Sequence, residues 1–139
     1  MRSTEAPIPA NQAATPEVAP HGLRIESDTF PGGVLVARVR GEIDLLSAPE
    51  LAAWAESARA GSTRLVLDLD GVGFLGSAGL SVLAELSGAA DRDELRLAVV
   101  ATSRTVLRPL EMTGVLTRLT VCSSVTGAVE AVAAAETKD

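Results

Sequence analysis

The 139-residue chain has no tyrosine, one tryptophan and two phenylalanines, a single cysteine (Cys122), a single histidine (His21) and a single lysine (Lys138). Each shortage removes chemistry. A Ser-His triad, a histidine-based zinc site, a P-loop lysine or a Schiff-base lysine needs His or Lys inside a fold, and here both lie near its margins. One cysteine rules out an intramolecular disulfide and a thiolate cluster, and it fits a reducing cytoplasm. A formal net charge of -6 with 2% aromatic residues argues against a nucleic-acid surface, which needs clustered Lys/Arg and usually stacking rings. No apolar run reaches the roughly 18 residues of a spanning helix, and the N-terminus lacks the apolar core of a signal peptide. The expectation is a cytoplasmic protein with protein or small-molecule partners, and with no membrane and no nucleic-acid partner. Its length permits one domain around one core.

What is present is regular. Residues 1–21 hold Pro7, Pro9, Pro16 and Pro20 among polar and small residues and read as a disordered tail, with a domain over 22–136 and a short C-terminal tail at 137–139. Leu23 and Ile25, then Val34, Val36 and Val39, suggest two strands around a turn at Pro31-Gly32-Gly33. Ser47-Ala-Pro-Glu50 has the form of a capping box, and Leu51, Trp54, Ala55 and Ala58 share one face of the helix after it, which Gly61 ends. "RLVLDL" is a near-continuous apolar strand, "GLSVLAELSGAA" a helix and "ELRLAVVA" a strand. A third helix runs from a Ser103 cap through Met112 with Gly114 at its end, and Pro109 inside it should kink or shorten it. "VLTRLTV" reads as a last strand, and Ser124 caps a final helix striped by Val125, Ala128, Val129, Val132 and Ala133. The order ββαβαβαβα predicts an α/β fold: a mostly parallel sheet of about five strands and four helices, with one antiparallel edge strand.

Candidate chemistry is sparse. Glu42 with Asp44, and Asp68 with Asp70, are possible carboxylate pairs, but acidic residues at strand ends more often face solvent, and no catalytic dyad is assigned. Gly71, Gly73 and Gly76 have GxGxxG spacing between a strand and a helix, as in a dinucleotide site. However, two strands and a helix precede them, and the next strand ends "LAVVAT" without the acid that would hold a ribose. No cofactor is expected. Gly71 and Gly73 then permit a tight turn, Gly79 lets the helix lie close to the sheet, and Phe74 and Leu75 are suited to burial. Ser77 stands where the loop becomes the helix. There a hydroxyl either caps the helix or is placed near the surface at the positive end of the helix dipole, a suitable place for phosphorylation.

Three segments together resemble the STAS-domain anti-sigma factor antagonists, the bacterial proteins of partner-switching pathways. "RGEIDLLSAPEL" resembles the family's Gly-Glu-Leu/Ile-Asp turn and capped first helix. "LVLDLDGVGFLGSAGL" resembles its strand and phosphorylation segment, and "SRTVLRPLEMTGV" is similar to its third helix, ending Met-Ser/Thr-Gly. The resemblance covers about Leu23 to Ala133 and implies a single STAS domain with helices packed largely on one side of the sheet.

It further implies that the chain is a regulator and not an enzyme. It would bind an anti-sigma factor that is itself an ATP-dependent serine kinase of the GHKL type, thereby freeing a sigma factor. Phosphorylation would release it and a serine phosphatase would reset it. Ser77 falls on the phosphorylated position, and Asp44 matches the acidic residue associated with kinase contact. Glu42, Asp44 and Ser47, with Gly76, Ala78, Gly79 and Leu80, form the expected partner-binding surface. Gly76 stands where the family usually has an acid, and Ala78 where it has a second hydroxyl. The alternatives are a divergent member that binds constitutively, or a STAS-like assembly or ligand-binding module in which Ser77 is only a helix cap.

Overall fold

A computed structural model describes residues 17–18 and 21–136. The elements are β1 (Glu17–Val18), β2 (Arg24–Phe30), β3 (Val34–Ile43), α1 (Ala48–Gly61), β4 (Arg64–Leu75), α2 (Ser77–Asp91), β5 (Arg96–Val100), α3 (Arg104–Thr113), a 3₁₀ turn (Val115–Arg118), β6 (Val121–Cys122) and α4 (Val125–Glu136). They build one mixed sheet in sequential order from β1 to β6, with β1/β2 and β2/β3 antiparallel and every later pair parallel. The α/β class, the alternation and the antiparallel edge are as the sequence predicts. Glu17–Val18, inside the stretch expected to be a disordered tail, adds a short strand to that edge. The rest of that tail, 1–16 and 19–20, and the C-terminal 137–139 lie outside the described residues.

Burial of β4 on both faces explains its continuous apolar run. Leu65, Leu67 and Leu69 face Leu51, Leu83, Val106 and Leu110 of α1, α2 and α3. Val66, between them, faces the other way into a smaller cluster with Val34, Val36 and Ala98, covered by Ala128 and Val132 of α4. Three helices therefore cover one face and one covers the other. Each fully buried Leu or Val in these layers contributes about 1.5–3 kcal/mol.

Several local expectations are corrected. Gly71 and Gly73 do not make a turn: β4 runs on through both to Leu75, because β3 continues alongside and pairs Gly41 with Val72 and Ile43 with Leu75. The segment "VLTRLTV" is not a strand but a 3₁₀ turn followed by the two-residue β6, since Gly114 turns the backbone left-handed (φ +80°) and Thr117 Oγ1 donates to its carbonyl at 3.0 Å. Helix α3 passes through Pro109 to Thr113 without being shortened. Ser103 does not cap α3 with its side chain: its carbonyl takes the Val106 N–H, the amide that its hydroxyl would have reached, and the hydroxyl is buried without a partner. Ser124 does cap α4, accepting from the Gly127 N–H at 3.0 Å.

Candidate functional site

The carboxyl ends of β3 and β4 bring the two singled-out segments together. Near the end of β3, Gly41 takes φ +112°, which L-residues rarely adopt, and a Cβ there would stand 3.1 Å from the Gly22 carbonyl oxygen. The pairing slips at this point, so that Glu42 lies beside Phe74 and Ile43 beside Leu75. Ile43 is fully buried and anchors the end of the strand.

Beyond Ile43 the chain folds into a compact turn. Asp44 Oδ1 accepts from the backbone N–H of Leu46 and of Ser47, each at 3.0 Å. Ser47, fully buried, donates its hydroxyl to the Glu42 carbonyl at 2.6 Å and accepts from the Asp44 N–H at 3.0 Å. The expected capping box is therefore not formed. The Glu50 N–H goes to the Ser47 carbonyl, and the hydroxyl reaches back into the turn instead of forward into α1. Donation from the Ser47 N–H, aided by the Ser47 hydroxyl and the Leu46 N–H, holds the Asp44 carboxyl below the usual carboxylate range.

The second segment is fastened to the first. The Gly76 N–H donates to the Ile43 carbonyl at 2.9 Å, and Gly76 is the N-cap of α2, so Ser77 is the first helical residue. Ser77 is exposed; no side chain caps the helix start, and no acidic residue lies in its first turn. One turn on, Gly79 is buried where a Cβ would come within 2.5 Å of Ile43 Cγ2 and 2.7 Å of Leu75 Cδ1. Only glycine lets α2 start this close to the strand ends, which is the close packing expected of it.

Of the expected partner-binding residues, Glu42 is exposed, and Asp44, Gly76 and Ala78 are half-buried. Ser47, Gly79 and Leu80 are buried and support the site from beneath. Leu75 is buried as expected, but Phe74 is 49% exposed, its ring lying over Gly76. The exposed Leu45 and Leu46 on the turn are not singled out by sequence reasoning; the available signal was two adjacent large apolar residues ahead of the helix, off its buried stripe.

The carboxylate pairs have structural uses. Asp70 Oδ1 accepts from the Thr102 N–H at 2.7 Å and ties β4 to the loop after β5, while Asp68 accepts from the Asp70 N–H at 3.1 Å. Among the described residues no group of three or more His, Cys, Asp or Glu side chains is placed to hold a metal ion. No helix among them is long and apolar enough to cross a membrane.

With this geometry in view, the chain's relatives are informative. The model of the STAS domain family matches residues 27–128. The chain is 40% identical over 83 residues to the anti-sigma-F factor antagonist RsfB of Mycobacterium tuberculosis, spanning 59% of this chain and 67% of that protein. The crystal structure of an anti-sigma factor antagonist from Mycobacterium paratuberculosis superposes with a TM-score of 0.69 at 32% identity, over 84% of this chain and 98% of that one. The Bacillus cell fate determinant SpoIIAA in its phosphorylated form shares the fold, with a TM-score of 0.59 at 15% identity over 76% of this chain and 96% of that one. A STAS match over most of the chain, joined to antagonist relatives in sequence and in structure, makes this chain a member of the STAS-domain family of anti-sigma factor antagonists.

Proposed function

We propose that the chain acts in the cytoplasm as a non-enzymatic switch. In its unmodified form it binds an anti-sigma factor serine kinase of the GHKL type and frees a sigma factor. Phosphorylation of Ser77 by that kinase releases it, and a serine phosphatase restores it. The working unit is the domain over 22–136, with the short strand Glu17–Val18 paired at its edge.

The observation that carries this reading is the setting of Ser77. It is exposed on the first turn of a helix that has neither a side-chain cap nor an acidic residue there, and it is tied through the Gly76 to Ile43 hydrogen bond to the Asp44 turn. A phosphate at such a helix start is stabilised by the dipole and the free N–H groups, so it is accommodated without unfolding. The same group adds about -1.5 to -2 charges to the surface that a partner must cover, which opposes binding. SpoIIAA in its phosphorylated form shows that a protein of this fold carries a phosphate.

Gly76, in the place of the family's usual acidic residue, favours a second reading in which Ser77 is never modified and the chain binds constitutively. Incubation with ATP and each GHKL-type anti-sigma factor kinase of the same genome, followed by mass spectrometry, separates the two. Phosphate located on Ser77 supports the switch. A stable complex without phosphate supports the constitutive binder.

A further inference from the structure

The backbone at Gly76 does not require glycine. As the N-cap of α2 it is extended, at φ -91° and ψ -179°, a conformation open to any residue. This is also the position where Asp, Asn, Ser or Thr is most favoured, because the side chain accepts from the free N–H groups of the first turn. Glycine forgoes that bond, and α2 starts with neither a side-chain cap nor an acidic residue in its first turn.

The space a side chain at this position would need is taken by the Phe74 ring. A Cβ on Gly76 would stand 3.0 Å from Phe74 Cε2 and 3.4 Å from Cζ, tighter than ordinary contact, so the ring and a capping side chain compete for one place. Core packing does not account for the ring. Its neighbours Val72 and Leu75 belong to the larger apolar core, but Phe74 belongs to neither core and is 49% exposed. An aromatic side chain with two rotatable angles loses little entropy on contact, and such rings are common among the residues that dominate interfaces.

We infer that Phe74 is a specificity-determining residue for the modification of Ser77: its ring, seated on Gly76, is the apolar surface against which the kinase aligns the acceptor hydroxyl. The inference rests on the proposed kinase reaction. In that reaction the bond from Ser77 Oγ to the γ-phosphorus of ATP forms as the bond to the bridging oxygen breaks, ADP leaves, and the hydroxyl proton passes to a base on the kinase. Ser77 is exposed and directly follows the glycine under the ring, so a protein that brings ATP to its hydroxyl also meets the ring. The kinase surface that fits is an apolar lip beside the ATP site. Misalignment of the acceptor by a fraction of an ångström slows transfer, so the ring acts as a positioning residue and takes no part in the chemistry.

The test measures steady-state phosphorylation of Ser77 in the full-length chain by the purified kinase with ATP, together with thermal unfolding of each variant. Phe74→Ala is expected to unfold within about 3 °C of wild type and to lose about tenfold or more in kcat/KM. Phe74→Tyr keeps the ring and is expected to stay within about threefold of wild type. Gly76→Asp, which pushes the ring aside, is expected to lose as much as Phe74→Ala. Adding Gly76→Asp to Phe74→Ala should cost no further rate and should raise the unfolding temperature above that of Phe74→Ala alone, because the cap then forms without competition. Wild-type rates in Phe74→Ala or Gly76→Asp, or a loss in Phe74→Tyr equal to that in Phe74→Ala, overturn the inference, while phosphate on wild-type Ser77 leaves the proposed switch standing. Wild-type protein that takes up no phosphate from any GHKL-type kinase of the same genome overturns both.

Discussion

The Ile43 side chain fills the space that a Cβ on Gly79 would occupy, with Cγ2 at 2.5 Å, while the Ile43 carbonyl accepts the Gly76 N–H at 2.9 Å. One buried residue at the end of β3 therefore fixes both the position and the spacing of the helix that carries Ser77. Gly79→Ala should force this packing apart and cost about 1–3 kcal/mol, read in urea unfolding followed by Trp54 fluorescence. Gly73→Ala is the comparison, because nothing lies within 4 Å of a Cβ at that position, and it should change stability by less than about 0.5 kcal/mol. Equal stability of the two variants would show that Gly79 is not a packing requirement.

Two serines stand before helices without capping them, and they should respond oppositely to loss of the hydroxyl. Ser47→Ala removes a buried group that both donates and accepts, leaving the Glu42 carbonyl and Asp44 N–H short of partners, at a cost of about 1–3 kcal/mol. Ser103→Ala removes a buried hydroxyl with no partner and should be neutral or slightly stabilising. Differential scanning calorimetry on both gives the comparison, and a Ser103→Ala variant less stable than Ser47→Ala would contradict the bonding described.

Asp44 makes stability depend on pH in a definite direction. Its carboxyl is held lower in the folded state than in the unfolded chain, chiefly by the Ser47 N–H, so folding favours the ionised form. The contribution is fully present above the ordinary aspartate range and is lost as the pH falls through the lowered folded value. In a two-dimensional NMR titration, the Leu46 and Ser47 amide signals should shift together with a midpoint below that of a free aspartate. Asp44→Asn should abolish this titration. A midpoint at or above the ordinary value would refute the turn's hydrogen bonding.

The periodic parts of the fold were legible in the sequence because burial imposes the period: β4 alternates between two cores, and Ala128 and Val132 repeat along α4 at helical spacing. The segments that misled are those where a neighbour overrides local preference. Gly71 and Gly73 read as a turn, but β3 at their side keeps them extended. Ser47 and Ser103 read as caps, but their own carbonyls take the amides that their hydroxyls would have met. The candidate site was legible as two motifs, Glu42 to Ser47 and Gly76 to Leu80. Their junction through Ile43 depends on a parallel pairing across a register shift, which no local pattern encodes. The exposure of Phe74 was likewise hidden, since its hydrophobicity alone suggests a core residue.

In the proposed switch, phosphate on Ser77 ends partner binding and leaves the fold alone. Surface plasmon resonance against the cognate kinase, with circular dichroism of each protein, tests it on wild type, phosphorylated wild type, Ser77→Ala and Ser77→Asp. Matching spectra are expected, with wild-type affinity for Ser77→Ala and no phosphate incorporated, and weak binding by Ser77→Asp. The phosphorylated protein should lose about two orders of magnitude or more in affinity, since a doubly charged group must be desolvated at the interface. Equal affinity of Ser77→Ala and Ser77→Asp, together with no phosphate on the wild-type protein after incubation with the kinase and ATP, would contradict it.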